Sequence, residues 1–361
     1  MNINVDSFIK DLIVSAYYGY LDNEFFVFST YKYKEKRDEN FLFWFSAPMF
    51  FPYKADKVFY KNIYLGKTIQ HKTERVYLET IANYYNIGKG HPYFERLKKY
   101  AKERSYLDLY YTNICFDSTE ISKYFKFKDI SQYNFPKNTV AFQTRNPLHL
   151  AHENILLNSP FDNIVISPVL GETKADDIPA DIRMKCYKKT ISIIKKETPK
   201  KLTLAPIPLP MWFMGWREAI LHGMIRGLMG ADHFFIGRNH ATAPGYEHLA
   251  DGVREKASKL FDGFITPIFV EEVKYCPKEK KYNTIYTINN KKTKTICKGD
   301  NNYRISGSMI RSMLEKGEYP PEWAVRKEIA KILIKHYSDK NSSKYKKRIK
   351  KNIKKATRSL L

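Results

Sequence analysis

The string QTRNPLHLAHE, residues 143–153, decides the fold. It closes TVAFQ (139–143), a short apolar run that reads as a buried strand, and opens LHLAHENILL, whose spacing is helical. Asn146 stands just before Pro147, so the pattern predicts an N-cap at Asn146 and proline at the first helical position. A helix opening there leaves N–H groups at the end of a strand, a ready anion site with a favourable dipole. His149 and His152 are three apart and share one helix face. Arg145 offers a planar fork to a tetrahedral oxyanion, and Gln143 adds an amide donor. No residue from Gln143 to Asn146 carries a carboxylate. A pocket of donors alone suits sulfate, which only accepts hydrogen bonds. It rejects phosphate, whose retained proton would be buried unpaired.

The alternation continues outward from this point. NIVISPVL (163–170) reads as a strand, PADIRMKCYKKTISII (179–194) as a helix, LTLAPIP (202–208) as a strand and GWREAILHGMIRGLMG (215–230) as a helix. HFFIG (233–237) and FITPIFV (264–270) are strands again. Buried strands alternating with helices predict an α/β core with a mostly parallel sheet and helices on both faces. In such sheets ligands bind beyond the C-terminal strand ends, where QTRNPLH and GRNHA both fall. Residues 1–136 are aromatic-rich, and runs such as EFFVFSTYKY and FLFWFSAPMFF read as strands. QYNFPKN (132–138) is a turn-rich boundary. The expected organisation is a β-rich N-terminal domain over 1–136 and an α/β domain over 137–300. A small helical domain over 301–338, broken at Pro320 and Pro321, and a basic tail over 339–361 complete it.

Composition narrows the function classes. No apolar run is long enough to span a bilayer, and MNINVDSFIKDLIV lacks the apolar stretch of a secretory signal, so a cytoplasmic protein is expected. The four cysteines, Cys115, Cys186, Cys276 and Cys297, are too widely spaced for a disulfide framework, and a reducing compartment fits them. The net charge is +24. Residues 340–361 hold ten Lys and Arg and no acid, while the remaining excess is diffuse. A basic nucleic-acid-binding protein is therefore the alternative from another class. Little aromatic–basic interleaving accompanies the tail, which leaves nonspecific contact as its expected reach. Tyr345, Ile349 and Ile353 are four apart, so the tail is either a cationic amphipathic helix or a solvated, partly disordered segment.

QTRNPLHLAH resembles the Q-x-R-N-P-x-H-x-x-H motif of ATP sulfurylases (sulfate adenylyltransferases), a variant of the HxxH of the α/β nucleotidyltransferases. Four further segments resemble that family in its order. They are GETKADDIPADIRMKCY (171–187), MGWREAILHGMIRG (214–227), IGRNHATAPG (236–245) and ISGSMIRSMLEKGEYPPEW (305–323). The resemblance implies a Rossmann-like nucleotidyltransferase core, preceded by a PUA-like β domain that GHPYFERL (90–97) matches weakly. It implies the reaction of ATP with sulfate to give adenylyl sulfate (APS) and diphosphate, by direct in-line attack of sulfate on the α-phosphorus.

The resemblance also distributes roles. Thr144, Arg145 and Asn146 would be catalytic, with Thr144 orienting the phosphate loop. Gln143, Arg145 and the backbone N–H of Ala241 would hold sulfate. Gln143, Asn146, His149, His152, Arg238, Asn239 and His240 would hold ATP. Mg²⁺ would arrive with ATP, coordinated largely by phosphates and water. Partners would be a second copy of the chain in a homo-oligomer and a separate APS kinase or reductase, with no membrane. The other nucleotidyltransferase reading moves AMP to a different acceptor anion. Ser306, Ser308 and Arg311 lie where related enzymes keep a second phosphate-side motif, and the serines read equally as plain N-caps.

Three departures from the family pattern bear on the site. Asn239 replaces an aspartate, HATAPG is one residue longer than H-A-G-P-G, and Trp216 replaces the proline of G-P-R-E-A. Glycine at the position of Thr242 would permit a positive φ, so a displaced backbone is expected there. Cys276 and Cys297 retain two of the four ligands of a zinc loop found in some relatives. No protein-bound zinc is expected, with a lysine-rich hairpin (274–297) in its place.

Overall fold

A computed structural model describes residues 1–21, 24–25, 51–289, 291–294, 303 and 307–340. Most of the two aromatic runs, Ser306, Cys297 and the basic tail lie outside the described residues. The chain forms two compact units. The first comprises 1–143, 167–175 and 205–269, and the second 144–166, 176–204 and 270–361.

In the first unit, β1 (Asn2–Asn4), β2 (Glu24–Phe25), β3 (Lys57–Tyr60), β4 (Ile63–Tyr77) and β5 (Tyr106–Phe116) make a five-stranded sheet of order β1-β3-β4-β5-β2. In it β1 runs parallel to β3, while β3 with β4, β4 with β5 and β5 with β2 are antiparallel. Helix α1 (Ser7–Tyr17) starts where the Asp6 carboxylate accepts the Ile9 N–H, an N-cap bond. Helices α2 (Leu78–Tyr85), α3 (Pro92–Ala101) and α4 (Ser118–Tyr124) accompany this sheet. Phe8 from α1 meets Trp212 edge-on at 5.5 Å, with Tyr93 5.9 Å away and the Arg96 guanidinium over its outer face at 4.3 Å. Arg96 is bonded in turn to Glu172. His91 caps α3: its Nδ1 accepts from the Tyr93 N–H, so Nε2–H donates to the Phe213 carbonyl at 3.1 Å.

The α/β rhythm holds from 139 onward. Seven further strands follow: β6 (Thr139–Phe142), β7 (Asn163–Ile166), β8 (Lys201–Leu204), β9 (His233–Gly237), β10 (Thr266–Cys276), β11 (Lys281–Ile288) and β12 (Lys291–Lys294). In the first unit β6 and β9 are parallel, with Val140 opposite His233 and Ala141 opposite Phe234. Helices α7 (Trp216–Leu228) and α8 (Val253–Leu260) belong with them. In the second unit β7 and β8 are parallel and β11 and β12 antiparallel. That unit also holds α5 (Leu150–Leu157), α6 (Ala180–Ile194), α9 (Gly307–Glu315) and α10 (Lys327–Lys340). Its core joins Cys186 to Ile310, Leu314, Val325, Ile329 and Leu333. Arg326 fastens this unit from outside the core. Its Nε donates to Glu153 of α5 at 2.7 Å, and its terminal nitrogens donate to both oxygens of Glu197.

Two sequence expectations are corrected here. The helix after β6 begins at Leu150, not at Pro147, and His149 is its N-cap residue with extended φ −121° and ψ 167°. The backbone at Asn146 is committed to tertiary bonds described below, and the Leu150 N–H donates to the Ala324 carbonyl at 2.9 Å. Bonds to other segments therefore take groups that a helix start at Pro147 would have used. Cys276 is disulfide-bonded, whereas Cys115 and Cys186 are free. The reading that assigned no disulfide thus fails at Cys276.

Candidate active site

The anion loop is built entirely inside the second unit. The Thr144 hydroxyl accepts the Asn146 N–H at 3.0 Å and lies 3.1 Å from the Asn146 carbonyl, to which it donates. Such a side-chain turn holds the loop without helical bonds. Two residues of α6 grip the same stretch. The Tyr187 hydroxyl donates to the Asn146 carbonyl at 2.8 Å. Arg183, buried, donates to the Arg145 carbonyl at 3.2 Å and to the Ile178 carbonyl at 2.8 Å. The side chain of Asn146 accepts from Arg311 Nη1 at 2.9 Å. A Cβ added at Gly307 would stand 2.9 Å from that Asn146 side chain, so the glycine permits α9 to approach.

Asp177 changes the electrostatics read from the sequence. Its side chain is only 1% exposed, with Oδ2 3.3 Å from Arg145 Nε and Oδ1 3.4 Å from Arg311 Nη1. The loop itself has no carboxylate, but the fold brings one to its arginine, so the expectation of a purely donating pocket is corrected. Arg311 also pairs with Asp176 at 3.7 Å. Of the late motif, Arg311 reaches the anion loop, Ser306 lies outside the described residues, and the side chain of Ser308 is not described.

His149 and His152 stack face to face, with ring centroids 3.6 Å apart and planes at 19°. Burial lowers His149 to about 4 and pushes His152 well below the usual histidine range, with its neighbour's charge adding to the effect. Both are therefore neutral imidazoles at pH 7, which stack without charge repulsion and each carry one N–H donor.

The remaining site residues lie in the first unit. Gln143 follows β6, and Arg238 to Ala241 follow β9. Because β6 and β9 are adjacent and parallel, these residues leave the same C-terminal edge. The Gln143 Oε1 is buried without a hydrogen-bond partner, which keeps that amide available to a ligand. Arg238 and Asn239 are exposed, His240 is half-buried, and Ala241 is buried. The positive φ falls on Ala241 (54°), not on Thr242. Thr242 instead closes the turn, its hydroxyl donating to the Asn239 carbonyl at 3.1 Å. The Ala241 carbonyl accepts from the Gly215 N–H at 3.0 Å. Gly215 (φ 59°) has no room for a side chain, since a Cβ there would lie 2.1 Å from the Leu249 carbonyl oxygen. Strained residues on a braced turn are common at functional sites. Trp216 takes the family's proline position at the first residue of α7, where no intrahelical N–H bond is required, so the helix is kept.

Sequence reading treated α7 as an apolar helix and missed its polar stripe. Glu218, His222 and Arg226 are four residues apart and each is fully buried. Glu218 accepts the Trp212 and Met214 N–H groups at 3.1 and 3.0 Å. His222 Nδ1 is 3.1 Å from His240 Nε2. The signal was a charged or titratable residue at every fourth position of an otherwise apolar helix.

Residues 114–336 match the family described as ATP-sulfurylase. The chain belongs to the ATP-sulfurylase family. Among relatives of this ATP-sulfurylase family member, the sulfate adenylyltransferase of Persephonella marina is 39% identical over 208 residues, 57% of this chain and 51% of that protein. The sulfate adenylyltransferase of Carboxydothermus hydrogenoformans is 34% identical over 222 residues, 59% of this chain and 54% of its own length. This family member therefore spans about half the length of the curated relatives it matches. A solved structure, the hexameric APS kinase from Thiobacillus denitrificans, superimposes with a TM-score of 0.53 at 12% identity, over 92% of this chain and 62% of that one. At that identity the likeness concerns the fold. Among the described residues no helix is long and apolar enough to cross a membrane, and no group of three or more His, Cys, Asp or Glu gathers to hold a metal.

Proposed function

We propose that this chain is a sulfate adenylyltransferase that joins sulfate to the α-phosphorus of ATP and releases diphosphate. The observation that carries the reading is the family match across 114–336, which includes every motif residue assigned to the site. Relatives that carry the name sulfate adenylyltransferase agree with it. Arg145 and Gln143, with the Ala241 N–H, bind sulfate. Asn146, His149, His152, Arg238, Asn239 and His240 bind ATP, and Thr144 shapes the loop. Two neutral imidazoles donate to phosphate oxygens and stabilise departing diphosphate, a role for positioned donors in a dry site. Direct displacement of this kind needs alignment and charge neutralisation more than proton transfer. Magnesium, bound to the nucleotide's own phosphates, supplies further charge neutralisation.

The finer architecture belongs to the same proposal: a PUA-like N-terminal domain over 1–136, a nucleotidyltransferase domain over 137–300, a helical domain over 301–338 and a basic tail over 339–361. So do a cytoplasmic location, a homo-oligomer, and a separate kinase or reductase that consumes adenylyl sulfate. The test is diphosphate release from Mg-ATP with sulfate, phosphate or no anion, in the presence of pyrophosphatase, with Arg145→Ala alongside. Sulfate-dependent release that the substitution abolishes supports the reading. A folded protein that binds ATP yet releases no diphosphate with sulfate ends it.

A further inference from the structure

We propose that His91, buried at the start of α3, is a positioning residue for the Ala241 turn: it fixes the peptide between Phe213 and Met214, and through Gly215 that peptide aims the Ala241 N–H at the bound anion.

Both ring nitrogens of His91 face backbone groups, so geometry sets where the proton sits. Nδ1 accepts the Tyr93 N–H, which needs a lone pair. The Phe213 carbonyl, 3.1 Å from Nε2, can only accept, which needs an N–H. The fully buried ring is therefore a neutral imidazole with its proton on Nε2. The first bond caps α3. The second does nothing for that helix and reaches a segment 122 residues further along the chain.

Phe213 has φ 65°, a left-handed backbone that a phenylalanine holds only when its surroundings impose it. Three bonds do so. Glu218 accepts the Trp212 N–H on one side and the Met214 N–H on the other, and His91 holds the carbonyl between them. The Phe213 carbonyl and the Met214 N–H belong to one planar peptide, so that plane is gripped at both edges. One residue later the Gly215 N–H donates to the Ala241 carbonyl at 3.0 Å. Rotation of the gripped plane would swing this N–H off its acceptor.

Ala241 needs that support, because it also has a positive φ, 54°, without glycine's freedom. Gly215 holds its carbonyl, and the Thr242 hydroxyl closes the turn onto the Asn239 carbonyl. His91 touches the chain beyond the turn as well. The Tyr246 ring meets it edge-on at 4.7 Å, and the Tyr246 hydroxyl donates to the Lys89 carbonyl at 2.9 Å. His91 is thus joined to the chain on both sides of Ala241. An alanine released from these restraints returns to negative φ and carries its N–H away. The anion role rests on the sulfate-binding reading of Ala241 above, whereas the brace does not.

His91→Asn and His91→Gln separate the two bonds. Asparagine can place an oxygen where Nδ1 lies, which keeps the cap and loses Phe213. Glutamine can place an N–H where Nε2 lies, which keeps Phe213 and loses the cap. Kinetics with sulfate and ATP, and amide hydrogen exchange, are measured on the full chain. His91→Asn should raise KM for sulfate about five- to tenfold, the worth of one neutral hydrogen bond. Its kcat and its KM for ATP should stay near the parent's, and Gly215 should exchange faster. His91→Gln should match the parent in all of these. A sulfate KM that rises equally in both variants, or more in His91→Gln, makes His91 a helix cap alone and overturns the proposal. If His91→Asn does not fold, His91→Gln decides: a parental sulfate KM supports the brace and a raised one overturns it. If the parent releases no diphosphate with sulfate, the sulfate reading fails and Gly215 exchange judges the brace. Faster exchange in His91→Asn than in His91→Gln upholds it, and equal rates remove it.

Discussion

Asp177 Oδ2 stands 3.3 Å from Arg145 Nε, with the carboxylate side chain 1% exposed. The carboxylate engages the guanidinium at Nε, while its other oxygen faces Arg311 at 3.4 Å. Removing it would leave two arginines facing one another across a dry gap. Loss of one partner from a buried pair costs about 3 kcal/mol. Asp177→Ala should therefore lower unfolding stability by about that amount. It should also raise KM for sulfate more than it lowers kcat. Chemical denaturation and sulfate-dependent kinetics on one preparation check both. An Asp177→Ala protein as stable as the parent would contradict the buried pairing.

Arg145 itself should be intolerant of lysine. A lysine keeps the charge but cannot engage Asp177 and an oxyanion through one planar fork. Charge-assisted bonds contribute about 2 to 3 kcal/mol, so kcat/KM for sulfate should fall on the order of 100-fold in Arg145→Lys. Circular dichroism should show the fold unchanged.

Tyr187→Phe tests the grip of α6 on the loop. It removes the 2.8 Å bond to the Asn146 carbonyl and the hydroxyl's side-chain bond with Arg183. The expected loss is about 1 kcal/mol of stability and a several-fold drop in kcat/KM, read by thermal unfolding and kinetics. Gly215→Ala tests the brace in the first unit. Positive φ and the 2.1 Å approach to the Leu249 carbonyl predict a larger loss, about 2 kcal/mol or more.

Buried histidines give stability a defined pH dependence. Burial holds His149 and His91 near 4, below the ordinary 6.5, and holds His152 and His222 lower still. The unfolded chain then binds more protons than the folded one between about 6.5 and 4. Stability is full above that window and falls as pH drops through it, by up to about 1.4 kcal/mol per pH unit for each such histidine. Denaturant midpoints measured at pH 7.5, 6 and 5 should decline in step. His149→Asn should shallow the slope, and a flat profile in the parent would show that these rings take up protons as readily in the folded chain as in the unfolded one.

Alternation of apolar strand and helix was legible from 139 onward because burial on both faces writes itself into composition. The anion loop was legible as a string of donors. The start of α5 was not. Asn146 and Pro147 look like a helix start when only neighbours are considered, yet Tyr187, Arg183 and Arg311 claim the polar groups of that loop. Nothing near residue 146 encodes those partners. The positive φ at Ala241 was likewise not legible, because an alanine gives no local sign of a left-handed backbone.

The sequence by itself determined the donor set and the order of elements, since residue type and local period fix both. Only the tertiary structure decided which charges meet. Asp177 reaches Arg145, Arg311 reaches Asn146, and His222 reaches His240 because chain segments distant in sequence pack together. In a dry interior each such polar group needs a partner, and local pattern does not say which distant one will supply it.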